Sequence, residues 1–371
     1  MKENYIKELQ NCGKMFFIAA TGGGTSFIGD FLKIPGGSKC IVGGYVPYAI
    51  EATNNFIGGK LDKYADANAA RRLAVASYEN CLKIKNTTTN NCVGVGIACS
   101  LVKDKEHDGR EHHINVAVHT YNETFGMSVV LKNSKLNRAE EEEFVNDLTL
   151  FVLANKYCKN IDHEWEIIHQ MIYLDHGGEA TTFGEYNRMV ACDLYCDAIN
   201  EIENNDTIVI YPGSYNPLHD AHKEIYRLAH KITGLPVFYE LSITNSYKPS
   251  MDYVDLENRY KQFNNVNWIN SVILTKAPRF VDKVNLFKKY FNPKEIIIVV
   301  GADTWERVYD DAAHKNGDIK FFEDNNVNFL VFGRNTEIKN QDSVLFIKND
   351  LALNYNNNIS STAIRKVQAS A

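Results

Sequence analysis

Thr207-Ile208-Val209-Ile210-Tyr211-Pro212-Gly213-Ser214-Tyr215-Asn216-Pro217-Leu218-His219-Asp220-Ala221-His222 decides how the second half of this chain folds. Its first five residues are β-branched or aromatic without a break, the pattern of a strand buried on both faces. A Gly-Ser turn follows, and residues 221–232 then take up helical spacing. A strand, a glycine turn and a helix start in direct succession aim backbone amides and the positive helix end at one spot, which suits a phosphate. His219 and His222, three residues apart, share one face of the first turn, so both rings reach the same anion. The alternatives are a metal, for which two histidines without carboxylates are a thin ligand set, and two surface histidines.

Downstream, residues 237–243, 272–275, 296–300, 329–332 and 344–346 are further apolar strand candidates, with helical stretches between several of them. Continuous apolar strands alternating with helices predict a doubly wound parallel sheet, Rossmann-like, with ligands at the carboxyl ends of its strands. Upstream the order is looser. Strand-like runs at 15–19, 41–46, 92–98, 114–119 and 127–131 mix with helical stretches at 26–32, 65–84 and 138–157, predicting a mixed α/β domain with later strands close enough for antiparallel pairing. Asn137 is a candidate cap for 138–157, and the Glu140–Glu143 run favours its positive end. We place the first domain at residues 1–165, a helical connector at 166–203 and the second domain at 204–371.

The 371 residues fit two domains, and 44% hydrophobic with 23% charged residues excludes a disordered chain. Met1-Lys2-Glu3-Asn4 opens without an apolar stretch and no run approaches a membrane span, so a soluble, cytoplasmic protein is expected. Net charge is −6, yet residues 204–371 carry 20 basic and 19 acidic side chains, so the excess acid lies upstream. Neither half is a basic platform, which argues against nucleic acid and membrane surfaces as partners. The eight cysteines form no Cys-x-x-Cys pair and read as scattered thiols of a reducing compartment.

The segment from Gly213 to His222 resembles the GS(F/Y)NPxHxGH signature of nicotinate and nicotinamide mononucleotide adenylyltransferases, members of the HxGH nucleotidyltransferase superfamily. Ile359-Ser360-Ser361-Thr362-Ala363-Ile364-Arg365 is similar to their ISSTxIR signature, Val299 to Trp305 to their strand-GxD segment, and Leu256-Glu257-Asn258-Arg259 to the helix after their substrate loop. The resemblance implies adenylyl transfer from ATP, carried with Mg²⁺, to a phosphate acceptor, with pyrophosphate leaving. It implies that His219 and His222 hold the ATP phosphates in the transition state, and that Ser360, Ser361, Thr362 and Arg365 bind the triphosphate. Gly213 and Ser214 would give close backbone approach, and Asp303 would contact a ribose. Ala221 departs from the family's glycine, and 242–249 matches its substrate loop only loosely. Lys248 there either meets a substrate phosphate or is solvated; Trp305 either stacks on a pyridine ring or belongs to the core.

Residues 15–130 resemble the C-terminal domain of the CinA family, which hydrolyses the amide of nicotinamide mononucleotide. The likeness runs through Ala19-Ala20-Thr21-Gly22-Gly23, Pro35 to Ser38, Gly43 to Tyr48 and Gly96-Ile97-Ala98. Ala19 stands where the family has its serine nucleophile, and Thr53 where a lysine activates it. A nucleophile needs an attacking atom and a proton acceptor, so this half reads as a pseudo-amidase with a vestigial pocket of Ala19, Thr21, Gly22, Gly23, Tyr48 and Thr53. Thr25 and Ser26 read as helix caps, and 21–24 as an anion nest. His112, His113 and His119 suggest a metal only weakly, because His112 faces away from the other two on a strand. Self-association of this domain into a homo-oligomer is expected. Three functions follow: a nucleotidyltransferase in NAD biosynthesis with an assembly domain, a binding or structural protein that has lost both chemistries, or a bifunctional salvage enzyme.

Overall fold

In the computed structural model the chain divides into two units, Met1–Val190 with Lys248–Asp255, and Ala191–Tyr247 with Leu256–Ala371. The structure describes residues 2–85, 90–104, 109–132, 134–159, 166, 168–175, 177–186, 193–196, 200, 202, 205–244, 250–264, 272–310, 319–333, 338–357, 359–361 and 363–365. Among these, no helix is long and apolar enough to cross a membrane.

The first unit is built from α1 (Lys2–Asn11), β1 (Met15–Thr21), α2 (Ser26–Lys33), β2 (Ile41–Tyr45), α3 (Ile50–Ile57), α4 (Ala67–Lys85), β3 (Cys92–Ser100), β4 (His112–Thr120), β5 (Glu123–Leu131), α5 (Arg138–Tyr157) and β6 (Glu179–Tyr186). Its sheet runs β2-β1-β3-β4-β5-β6. β1 is parallel to β2 and β3, and the pairings from β3 onward are antiparallel. Strand alternation sorts the faces. Val93, Val95, Ile97, Ile114, Val116 and Val118 enter one core with Phe27 and Phe31 of α2 and Phe144, Leu148 and Phe151 of α5. The opposite face is lined by Ala19, Ala98 and Ala117 against Ala69, Ala70, Leu73 and Ala74 of α4. That helix lies so close that a Cβ at Gly96 would stand 2.1 Å from the Ala70 carbonyl oxygen, which accounts for its alanine-rich sequence.

The acidic run that opens α5 is divided among four tasks. Asn137 caps the helix, accepting from the Ala139 and Glu140 amides, and Glu140 returns the bond to the Asn137 amide at 2.8 Å. Glu141 is fully buried against His112, Ser134 and the Val102 amide. Glu142 crosses to α2, as described below, and Glu143 pairs with Lys2. His119 takes the other face of β4. It meets Thr124 at 2.6 Å and stacks on Tyr253 at 4.9 Å, and burial pushes its pKa down to about 3.

Residues 166–203 are not a helical connector. After a wide helical turn at Gln170–Asp175, Glu179–Tyr186 forms β6 and extends the first sheet, while Leu194–Cys196 forms β7 in the second. β6 is an edge strand whose residues are half-buried or exposed, so it lacks the apolar alternation that marks a strand in sequence. Most of the remaining connector lies outside the described residues.

The second unit contains β7, β8 (Thr207–Pro212), α6 (Asp220–Thr233), β9 (Val237–Ser242), most of α7 (Tyr253–Lys261), β10 (Val272–Thr275), α8 (Phe280–Phe291), β11 (Glu295–Gly301), α9 (Ala302–Asp310), α10 (Ile319–Asp324), β12 (Val327–Phe332), β13 (Phe346–Ile347) and α11 (Asp350–Leu353). Its sheet runs β13-β12-β11-β8-β9-β10-β7, parallel throughout except for β7 at one edge. The parallel strands start in the middle at β8, build outward through β9 and β10, then return to the other side of β8 as β11. The strand order therefore reverses between β8 and β11. Beyond the carboxyl ends of such a pair, connections leave in opposite directions and open a crevice.

Candidate functional site

β8 and β11 deliver their carboxyl ends to that crevice. β8 runs into Gly213 and Ser214, and the chain reaches α6 after Tyr215 to Leu218. Tyr215 sits in the left-handed region at φ 44 and is almost fully buried, its ring turned back onto the strand that precedes it. This ring decides the residue at 213: a Cβ there would lie 2.4 Å from the Tyr215 Cζ. Gly213 is thus required by internal packing, before any ligand is considered.

The loop is held chiefly through its carbonyl groups. Arg259 donates to the Ser214 carbonyl at 2.9 Å, and Gln262 donates to the Tyr215 carbonyl at 3.2 Å. Gln262 also accepts from the Leu218 amide at 2.7 Å, so one side chain spans the turn. From the end of the chain, Ser361 donates to the Pro217 carbonyl at 3.0 Å and Arg365 to the Asn216 carbonyl. Ser360 accepts from the Ala363 amide at 3.2 Å, closing a helical turn. The two motifs, joined by a Ser361–Pro217 contact across 144 residues of sequence, therefore meet in one place.

His219 is the N-cap residue of α6, 7% exposed, and His222 is third in the helix. Their rings stack with centroids 3.7 Å apart and planes 19° from parallel. The His219 backbone N–H donates to Nδ1 of His222 at 3.3 Å, which leaves Nε2 as the protonated nitrogen of a neutral His222 ring. Tyr215 meets the His222 ring edge-on at 5.1 Å, and Tyr211 does so at 6.3 Å. Two imidazoles at a positive helix end, with the Arg259 and Arg365 guanidinium groups anchored on the same loop, form a cationic, donor-rich corner fitted to polyphosphate.

Asp303 follows β11 in the first turn of α9. It is exposed, with a carboxylate oxygen 3.7 Å from Arg307. Trp305 is decided by the structure between its two readings, in favour of the core. It is fully buried, its indole N–H donates to the Lys339 carbonyl at 3.0 Å, and its ring packs against Tyr309, Phe329 and Phe346. It is core, and no face remains for a pyridine ring. Lys248 and Thr362 lie outside the described residues. Gln262 was not singled out in the sequence, where a glutamine one residue past a helix carries no distinguishing signal.

Ala19, Thr21, Gly22, Gly23, Tyr48 and Thr53, read in the sequence as a vestigial pocket, lie at the end of β1 and around α3. Ala19 is fully buried beneath α4, and Thr21 ends β1 opposite Ala98. The Thr53 hydroxyl donates to the Pro47 carbonyl at 2.6 Å, with the Ala49 carbonyl at 3.2 Å. The Gly22 carbonyl accepts from Arg138 at 2.8 Å, Gly23 lies within the same turn, and Tyr48 is exposed. The anion nest was expected at 21–24, but only Gly24 of that stretch takes part: the amides of 24–26 form it, and its anion belongs to the protein. Glu142 accepts from the amides of Gly24 at 2.9 Å, Thr25 at 2.7 Å and Ser26 at 3.2 Å. Burial pushes its pKa up, yet these amides and the Thr25 hydroxyl outweigh burial and hold it below the usual carboxylate value. Thr25 and Ser26 do not cap α2: both hydroxyls turn to Glu142, at 2.9 and 3.3 Å. His112, His113 and His119 do not converge, and no group of three potential metal ligands occurs among the described residues. None of the described cysteines is in a disulfide.

Residues 210–367 match the family model of cytidylyltransferase-like domains, so the C-terminal half carries a nucleotidyltransferase-like domain. A probable nicotinate-nucleotide adenylyltransferase of Helicobacter pylori is 26% identical over 118 residues, 29% of this chain. The chain spans 66% of that relative's length, just under two thirds. Among solved structures, a nicotinic acid mononucleotide adenylyltransferase of Plasmodium falciparum, complexed with NaAD, is 18% identical. Its match covers 43% of this chain and 82% of that one, with a TM-score of 0.32. A competence-damaged protein (CinA) superfamily member of Escherichia coli resembles the N-terminal part at 14% identity, covering 42% of this chain and 87% of that one, with a TM-score of 0.30.

Proposed function

We propose that the second unit transfers the adenylyl group of ATP to the phosphate of a mononucleotide, releasing pyrophosphate, and that nicotinate or nicotinamide mononucleotide is the acceptor. The observation that carries this reading is the stacked His219–His222 pair at the start of α6, with Ser361 and Arg365 tied to the loop before it. The acceptor's phosphate oxygen forms the new bond to the α-phosphorus while the bond to the β-phosphate oxygen breaks. Charge then builds on the bridging and terminal oxygens. His222, with Nδ1 already engaged, offers its Nε2 proton to that charge. Ser360, Ser361 and Arg365 steady the departing phosphates, Asp303 takes a ribose hydroxyl, and Mg²⁺ arrives as part of the nucleotide substrate. Support for the acceptor class comes from the name of the Helicobacter pylori relative.

In the same reading the first unit is a silent amidase relative. Ala19 offers no attacking atom, and the Thr53 hydroxyl already donates to a backbone carbonyl. Its remaining task is self-association, supported by the exposed apolar side chains of Tyr45, Val46, Tyr48 and Ile50 at and after the edge strand β2. The test of the catalytic reading is a pyrophosphate-release screen with ATP against nicotinate mononucleotide, nicotinamide mononucleotide, and sugar and lipid phosphates. Release with one of the two mononucleotides is expected; bound ATP with no release for any acceptor overturns it.

A further inference from the structure

The turn carrying Ser360 and Ser361 is tied downstream to the Asn216 and Pro217 carbonyls. Its upstream end is tied elsewhere, by one side chain on α6. Glu224, two residues beyond His222, accepts from the Tyr355 hydroxyl at 3.0 Å and from the Asn357 amide group at 3.0 Å, both through Oε2. Tyr355 also lies 3.3 Å from the Ala221 carbonyl, but a hydroxyl has one proton, and the nearer, ionised acceptor is the stronger. Its ring is 6% exposed and packs edge-on against Phe332 at 5.6 Å, so the residue is a fixed post. Asn357 passes the connection on: its side-chain oxygen accepts from the Ile359 amide at 3.0 Å, one residue before Ser360.

We infer that Glu224 is a positioning residue of the nucleotide site. It fixes the approach of the Ser360–Ser361 segment to the histidine pair on its own helix, so that both sets of donors face one triphosphate. The logic is geometric. His219, His222 and Glu224 ride on one rigid α6, so a segment hung from Glu224 keeps its register with the histidines. Without Glu224, Asn357 loses its acceptor and Tyr355 keeps only its packing and the Ala221 carbonyl, so the donors that meet ATP before reaction spread over more positions. Binding suffers first, because the histidine pair that acts on developing charge is untouched. This inference rests on the adenylyl-transfer reading, and its test has an arm that does not.

That test uses the full-length protein with Glu224→Ala, Glu224→Gln and Asn357→Ala. In hydrogen–deuterium exchange, Glu224→Ala should speed exchange across 355–365 about tenfold, the equivalent of one hydrogen bond to a charged group, while the melting temperature stays near wild type. In pyrophosphate release, KM for ATP should rise about tenfold with kcat within about twofold. Glu224→Gln, which keeps an oxygen acceptor, should recover most of both effects, and Asn357→Ala should reproduce the exchange change. Wild-type exchange over 355–365 in Glu224→Ala overturns the inference, as does a fall in kcat at unchanged KM. If wild type releases no pyrophosphate, the catalytic reading fails, and the exchange arm alone still decides whether Glu224 pins the segment.

Discussion

Each unit contains a strand that runs into a glycine turn and then a helix, and the two turns have opposite fates. In the first unit the amides of Gly24, Thr25 and Ser26 close on Glu142, a carboxylate supplied 118 residues along the chain. In the second, the carbonyls of Ser214, Tyr215, Asn216 and Pro217 are drawn outward by Arg259, Gln262, Arg365 and Ser361. One turn has its amides neutralised by an internal acid; the other has cationic donors assembled around it beside two stacked histidines. A phosphate-type turn is therefore a capacity, and what the rest of the fold brings to it decides whether it binds a ligand or simply holds the protein together.

The sharpest way to break this contrast is at the histidines. Replacing His219 or His222 with Ala should lower kcat/KM by about 10²–10³, the range for loss of one transition-state donor. ATP affinity, read by calorimetry, should change far less. Thr25→Ala in the other turn should leave pyrophosphate release unaltered.

Glu142→Ala should destabilise the protein by about 1 kcal/mol in urea unfolding, because it leaves partly buried amides without their acceptor. Glu142→Gln should cost less. The sign with pH follows from a folded pKa held below the ordinary 4.5. The stabilisation is present in full above that value and is lost as pH falls through the lower folded one. A Glu142→Ala variant whose stability deficit persists unchanged at pH 2–3 would mean that the carboxylate charge is not what fills the nest.

Arg365→Ala should weaken ATP binding about tenfold, since it removes a charged donor beside the loop. The smallest effect belongs to Ala221, fully buried in the first turn of α6. Ala221→Gly should cost at most about 1 kcal/mol of stability and leave turnover unchanged or slightly raised. A large gain in turnover would show that the methyl obstructs the nucleotide.

How much of this was legible in the sequence depends on what kind of signal each feature leaves. β8, the Gly213 turn and α6 are marked by a continuous apolar run that changes period at a glycine, and the structure places them where that pattern does. α5 begins at its expected cap because Asn137 and Glu140 carry a local, reciprocal signature. β6 left none: Glu179–Tyr186 is a polar edge strand, held by its pairing with β5 rather than by burial. The Glu140–Glu143 run favours a helix N-terminus in sequence, yet its four members do four different things, and nothing local points Glu142 at α2. The same limit hid Gln262 and Glu224, whose partners, backbone groups for the one and side chains for the other, are brought near only by the fold. Trp305 was readable either as a stacking surface or as core, and only its packing between Phe329 and Phe346 separates the two.

If the second unit moves an adenylyl group, the α-phosphorus of ATP must change partners. Full-length protein is given ATP labelled at that atom, Mg²⁺ and either pyridine mononucleotide. The label is expected to pass to the mononucleotide, with unlabelled pyrophosphate appearing in equal amount, and His222→Ala is expected to lose nearly all transfer. Label that remains in ATP while the nucleotide binds normally, or transfer of the γ-phosphate instead, would contradict adenylyl transfer.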